Sequence, residues 1–507
     1  MKMYPNVEIQ EQQYPLQSLL FGHRIQPSQT KYEYLIEFLQ VALAEKHGVN
    51  AATEEKFSTQ DMFPVKYAAN GKFQYSPRLA IGLKRFIFFP KSKLDGKAEV
   101  DKEAYQEFIK YLDTCILNSN AIKRKNSIAI IQNLLRGFSA VNQNRSWFDQ
   151  NVLPICPEVI LPEGMGVKTK RKGLSFSVGE SKVDDEFSYN RYTYMSRGGE
   201  VYYLHLLNAI AEYPNYENAI EGRIRELVSS FPQFSYLCNF VQNSWLDFYQ
   251  YTPQKIQKRL GVIPACFSSR NKQTLSELQN FLDSKSHPFE KMEILANGLI
   301  LQLMRMMYLA ASIEQESNSW IIDVNCSGLE NVEAKKRAVL AFKHNEEVIS
   351  TYLYKGLEKY RQLLDPKKTD EALIKDAAND SYRLFRKLGK MIGIIIPNTG
   401  KSMRFSLSED IIKFLVLAII PPKQMITLDE FIEQLYQHFG MVIGPEQYKE
   451  EIRGGFVEDV GDFSFLEANV RAFSQKLKDC GFLRDLSDAT SIVENPYEKE
   501  DPIECDS

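Results

Sequence analysis

The stretch PFEKMEILANGLILQLMRMMYLAASIEQE, residues 288–316, is apolar enough over its middle to enter a membrane, yet its polar residues argue against that destination. Gln302 and Arg305 fall inside the apolar run, where a hydrocarbon layer of about 30 Å would strand both without partners. A helix buried in protein tolerates the same composition, because neighbouring side chains answer the polar ones. Pro288 suits the first position of such a helix. Covering a helix this long on every side takes many others packed around it, so the stretch predicts a mainly α protein. The second apolar run, IIKFLVLAII at 411–420, is too short to span a bilayer and reads the same way.

Hydrophobic residues make up 44% and charged residues 25% of the 507 residues, the balance of a globular chain and not of a disordered or fibrous one. That length exceeds one ordinary core and predicts about two to four domains. Lys and Arg number 62 against 65 Asp and Glu, a net charge of -3, which excludes the overall positive field of a nucleic-acid coat. Any nucleic-acid surface has to be local. The seven cysteines, at 115, 156, 238, 266, 326, 480 and 505, contain no C-x-x-C pair, so neither a disulfide framework nor structural zinc is expected. The first twenty residues lack the apolar run of a signal peptide. The expected location is the cytoplasm, with no membrane partner and no cofactor.

Along the chain, KYEYLIEFLQVALAEKHG (31–48) carries Leu35, Phe38, Leu39 and Ala42 at helical spacing behind a Thr30/Glu33 capping box, which predicts a helix running to Gly48. GLKRFIFFP (82–90), short, aromatic and closed by Pro90, reads as a strand. Helices resume over 102–117 and 127–141. Prolines in LPICPEVILPEG (153–164) and charges in KTKRKG and SVGESKVDDE mark 151–197 as a loop or hairpin linker. Helical periodicity then holds from Gly198 to about residue 392. The last part, 393–507, changes character. IGIIIPNTGKSMRFSLSED reads as a hairpin, followed by helices at 409–420 and 428–439, the second opened by Thr427 and Glu430 in capping-box spacing. A third helix, FLEANVRAFSQKLKDCG, ends at Gly481, and FLRD and TSIV are strand-like. Three helices followed by a hairpin is the order of a winged-helix domain. The expected architecture is a multi-domain helical protein with small β-hairpins: an N-terminal helical domain 1–150, the linker 151–197, a central helical domain 198–392 and a winged-helix-like C-terminal domain 393–507 with an acidic tail.

Most candidate chemistry fails on context. Gly400-Lys401-Ser402 ends like a phosphate-binding P-loop, but Ile395 stands where the first glycine belongs and a strand follows instead of a helix. Asp323 with Glu333 and Lys335 has tolerable nuclease spacing, but ENVEAKKRAVLAF has helical periodicity, which throws the side chains apart. The six histidines form no close pair, and His23 in FGHRIQP reads as a hydrogen-bonding turn. Gly198 and Gly199 stand at the start of a very apolar helix, where an anion-binding loop with Arg197 is conceivable. Glu200 argues against it by answering the positive end of the helix dipole itself, so the glycines read as a site of close backbone packing. His205, Asn208 and Glu212 form that helix's narrow polar stripe. Tyr189, Arg191, Tyr192 and Tyr194 read as a half-buried strand or, alternatively, as rings that stack on bases.

Two basic features remain. In the third C-terminal helix, Leu466, Val470, Phe473 and Leu477 face the core, which places Arg471, Ser474, Gln475 and Lys478 on the opposite face, the arrangement of a recognition helix. Arg484 on the wing is placed to touch a phosphate backbone. Against this, the insert MVIGPEQYKEEIRGGFVEDVGDF (441–463) separates helices that a tight turn should join, and its acidic residues oppose DNA. Double-stranded DNA and a protein partner stay open as occupants. The second feature is the cationic loop Lys168, Lys170, Arg171 and Lys172, a candidate phosphate contact.

Two stretches, FGHRIQPSQTKYEYLIEFLQVALAEK (21–46) and IGIIIPNTGKSMRFSLSEDIIKFLVLAIIPPKQMITLDEFIEQLYQHFG (392–440), resemble segments of uncharacterised proteins from bacterial multi-gene anti-phage defence systems, such as the Druantia type. The resemblance covers under a fifth of the chain. It implies an accessory subunit that works beside a helicase or nuclease made by another gene, and it carries over no functional residues. The expected function is a non-catalytic subunit of such a complex, binding DNA or a partner protein through 393–507. A metal-dependent nuclease without a linear motif and a pure protein scaffold are the alternatives.

Overall fold

The computed structural model describes residues 3–5, 15–23, 29–50, 53–68, 71–78, 80–91, 99–140, 147, 150–161, 198–249, 257–313, 319–324, 332–459, 461–486 and 490–502. The protein is mainly helical, with a few small sheets. Pro288–Ser312 is a single helix with Pro288 in its first turn, buried along most of its length. It packs against the helices Lys31–Leu43, Val332–Tyr360 and Glu409–Ile419. Its length and apolarity would let it cross a membrane, but protein already covers that surface.

Most of its polar side chains meet partners from other segments. Lys291 donates to Leu282 O at 2.9 Å and to Glu500 at 2.6 Å, and Asn297 accepts from Lys31 at 2.8 Å. Gln302 donates to Glu277 and accepts from Arg270 at 2.9 Å. The Arg305 guanidinium lies over the Trp320 ring at 5.3 Å. Gly298 makes room for a neighbour: a Cβ there would sit 2.2 Å from the Phe414 ring of Glu409–Ile419.

One apolar cluster runs from Leu16 to Val493 and joins segments from both ends of the chain around this helix. A second gathers Ile81–Phe88, Glu99–Cys115, Ala121–Gly137, the 150–161 segment and Pro232–Tyr249. Its buried thiols, Cys156 and Cys238, are free and lie 3.9 Å apart. A third and smaller cluster joins Ile321 and Ala334 to Val442, Tyr448, Phe465 and Leu466.

Three sequence expectations are corrected. Residues 82–90 are not a strand: Ile81–Phe88 is a helix with nearly all its side chains buried. A short apolar run enclosed on every side shows no period, and here Gly82 seats the Trp245 ring, 2.2 Å from where a Cβ would stand. The helix from Lys31 stops at Leu43 and not at Gly48. Glu45–Asn50 instead pairs antiparallel with Lys56–Thr59 and Gly71–Ser76, in a four-stranded sheet completed by Lys258–Arg259. Non-local ladder bonds override the helical preference of Ala44, Glu45 and Lys46. The segment between the Lys31–Leu43 helix and residue 81, rich in Ala, Thr and Asn and read from composition as a loop, therefore contributes the strands Lys56–Thr59 and Gly71–Ser76.

In the C-terminal part, Ile395–Ile396 and Arg404–Phe405 form the expected hairpin. Met425–Thr427, Ser491–Glu494 and Leu483–Asp485 make a three-stranded antiparallel sheet with Ser491–Glu494 in the middle. The insert is structured: Met441–Val442 pairs in parallel with Trp320–Ile321, and Pro445–Arg453 is a helix.

Because the Phe414 ring fills the notch at Gly298, Gly298→Val is expected to lower the unfolding free energy by about 2 kcal/mol or more, read from the urea midpoint. An unchanged midpoint would show that the two helices part without cost.

Candidate interaction surface of the C-terminal module

The third C-terminal helix spans Ser464–Asp479, with Leu466, Phe473 and Leu477 buried as the spacing predicts. Arg471, Gln475 and Lys478 are exposed and Ser474 is half-buried, so the expected outward face exists. Its charges, however, are largely spent within the module. Lys478 pairs with Asp485, Arg484 pairs with Glu494 at 2.5 Å, and Gln475 donates to Asp479 at 2.7 Å. Lys478 and the Ser491 hydroxyl hold the Asp485 carboxyl below its usual range. Among the described residues Arg471 carries no ion pair, and the acidic Glu467 is exposed on the same helix. Exposed Glu446, Glu450, Glu458, Asp459 and Asp462 line the insert. Lys168, Lys170, Arg171 and Lys172 lie outside the described residues, as do Arg197 and the tyrosine-rich segment at 189–194.

The residue that seats this helix escaped the sequence reading. Asn469 is buried; its amide donates to Ile322 O at 2.9 Å and Ile443 O at 3.0 Å and accepts from Val324 N at 2.8 Å. One side chain thus ties the helix to the 319–324 segment and to the insert. Its position, three after Leu466 and four before Phe473, was the available signal, since a polar residue on an inward stripe needs partners. Close by, Arg404 Nε donates to Asp323 Oδ2 at 2.6 Å, with both side chains buried.

The other candidates are separated or occupied. Asp323 is held by Arg404, whereas Glu333 opens the helix Val332–Tyr360 and pairs with Arg337 at 2.7 Å. Among the described residues no group of three or more His, Cys, Asp or Glu side chains is placed to hold a metal. Lys401 lies in the exposed bend between the two hairpin strands. His23 is buried with Nδ1 3.2 Å from Phe21 O, the turn role expected for it.

The glycine pair is a helix crossing. A Cβ on Gly198 would stand 2.0 Å from the Tyr34 ring, and one on Gly199 would stand 2.3 Å from Tyr34 O. The anion at the start of the Gly198–Glu212 helix comes from elsewhere in the chain: Gly199 N donates to Glu37 Oε2 at 2.8 Å. Glu200, expected to fill that role, turns to accept from Gly261 N. Glu37 had no linear signal, because it is 162 positions away. The polar stripe faces Asn271–Asp283: His205 Nε2 meets Thr274 Oγ1 at 3.0 Å and Glu212 accepts from Asn271 at 2.8 Å.

Residues 393–497, 105 of the 507, match the family described as methylation-associated defense system protein MAD7. No curated protein and no solved structure matches the chain. The matched segment takes in both small sheets and all the helices of the module described above.

Two outcomes follow from this geometry. Asn469→Leu leaves two carbonyls and an N–H without their partner and is expected to cost roughly 2–4 kcal/mol, whereas Arg471→Ala changes stability by less than about 0.5 kcal/mol; equal midpoints for the two variants would contradict the seating role. Burial, with Arg270 second, lowers His205 from 6.5 to about 3, and burial lowers His23 from 6.5 to about 4. Both imidazoles are therefore neutral when folded and take up protons on unfolding. Stability falls as pH drops below 6.5, by roughly 1 kcal/mol per pH unit per histidine until each folded value is reached. His205→Gln is expected to flatten that slope in urea titrations between pH 6 and pH 4, whatever it does to stability at neutral pH.

Proposed function

We propose that this chain is a non-catalytic accessory subunit of a bacterial anti-phage defence complex, and that its C-terminal module docks onto another protein of the same system. The observation that carries the reading is the coincidence of the MAD7 match with that module. A defence-system association is common to the match and to the sequence resemblance; the Druantia type is a narrower form that the matched description does not name. Outside the inserted strand Met441–Val442 and helix Pro445–Arg453, the order of 409–494 is helix, strand, helix, helix, strand, strand, with the last strand between the other two, which supports a winged-helix-like reading.

The charges favour protein over DNA. A duplex-binding face needs several free cations to displace counter-ions from phosphates. Here Lys478 and Arg484 are each neutralised by a neighbouring carboxylate, and the exposed Asp459 and Asp462 directly precede the helix. A mixed-charge face suits the rim of a protein interface, where such pairs exchange partners and set register. DNA is the second reading, favoured by Arg471 and by the exposed Gln475 and Lys478 beside it.

The test is co-expression with the neighbouring genes of the system. The chain is expected to co-purify with a helicase or nuclease subunit, and Arg471→Glu with Lys478→Glu is expected to break that complex while the protein stays folded. Purified protein is expected to leave duplex DNA unshifted at physiological salt. A salt-sensitive shift abolished by the same pair of changes, with the complex intact, would replace this reading by the DNA one. Magnesium- or manganese-dependent cleavage lost in Glu333→Gln would replace it by the nuclease one.

A further inference from the structure

We propose that the outer face of the helix Ala121–Gly137 is a docking site for an acidic amphipathic helix of a partner protein. The inner face holds this helix to the second apolar cluster through Ile128 and Leu135. On the outer face, Ile122 is 71% exposed, Ile130 65% and Leu134 42%, and Leu117 just before the helix is fully exposed. Ile122, Asn126, Ile130 and Leu134 recur every fourth position, so they form one ridge, roughly 18 Å long at 1.5 Å per residue. Ala129 and Gly137, both exposed, flank it with low ground. Single exposed apolar residues are ordinary, but an aligned row of large ones on one helix marks a contact surface.

Charge selects the occupant. No Asp or Glu occurs between residues 114 and 148. Lys123 and Lys125 stand exposed beside the ridge, while Arg124 is held by Asp113 at 3.1 Å. Lys123 and Lys125 sit in the first turns of the helix, at the positive dipole end, which the neutral Asn120 side chain caps and no acidic residue of the first turn offsets. An antiparallel partner helix would bring its negative C-terminal end and its own carboxylates against that cluster, and its apolar stripe against the ridge. A second copy of this chain would set Lys123 and Lys125 against Arg136 when antiparallel, or against themselves when parallel, so like charges oppose self-association. Duplex DNA would meet Ile and Leu where a phosphate needs a donor. This surface belongs to a different apolar cluster from the C-terminal module, and neither reading depends on the other.

The full chain would be titrated against two fluorescent synthetic helices that share one Leu stripe, flanked by Glu in one and by Lys in the other. Fluorescence anisotropy is expected to show the Glu helix binding at least roughly tenfold tighter, with the preference shrinking at high salt. Ile130→Glu is expected to abolish binding, and Lys123→Glu with Lys125→Glu to invert the preference; both changes lie on exposed positions, and circular dichroism checks that the fold is kept. Equal binding of the two helices, no binding of either, or an Ile130→Glu variant that binds like the parent would overturn the proposal. So would Ile130-dependent sedimentation with phosphatidylglycerol vesicles, which would make the face a lipid contact. A dimer that Ile130→Glu dissolves would assign the ridge to a second copy and overturn it as well.

Discussion

The polar knot around Gln302 is the constraint on which the rest of the structure depends. Gln302 lies on a helix enclosed by protein, and an amide there without partners would cost more than the helix's apolar contacts gain at that position. Glu277 accepts from it, Arg270 donates to both, and His438 completes the group with Nδ1 at 2.7 Å from Glu277. Arg270 also donates to the His438 backbone carbonyl. Four side chains from three segments thus bond to one another, and they tie Asn271–Asp283 and the C-terminal helix Leu428–Phe439 to the central helix. Such a network rigidifies when its members are all present, and it links the C-terminal region to the core alongside the apolar contacts of the first cluster.

That coupling bears on function. The module matching the defence family is not a loosely tethered reader: its helices contribute to the cluster that reaches back to Leu16, and Asn469 pins the outermost one to two further segments. A rigid platform with a mixed-charge outer face is suited to holding a partner in fixed register. The internal pairing of Lys478 and Arg484 lowers what that face could gain from a polyanion.

Long elements with strong periodicity were legible in the sequence. The central helix, the helical periodicity over Val332–Tyr360, the 395–405 hairpin, the two capping boxes' helix starts and the Leu466–Leu477 stripe all stand where spacing placed them. Ile81–Phe88 was misread because full burial erases periodicity, and Glu45–Asn50 because its ladder partners lie in other segments. The outward face of the candidate helix was legible too. Its neutralisation was not, since Glu494 and Asp485 come to Arg484 and Lys478 only through sheet pairing and the turn after the helix.

By itself the sequence determined which residues must be inside: an apolar run interrupted by Gln302 and Arg305 demands burial among polar partners, and the glycines before residue 200 demand close approach. Tertiary structure alone decided what meets them. Glu37, and not Glu200, caps the helix at Gly199; Phe414 fills the notch at Gly298; Asn469 bonds three backbone groups in two other segments. The reason is physical. Hydrophobic period and turn chemistry act over a few residues and are written locally, whereas the partner of a buried polar group is set by which distant segment packing brings within hydrogen-bond reach.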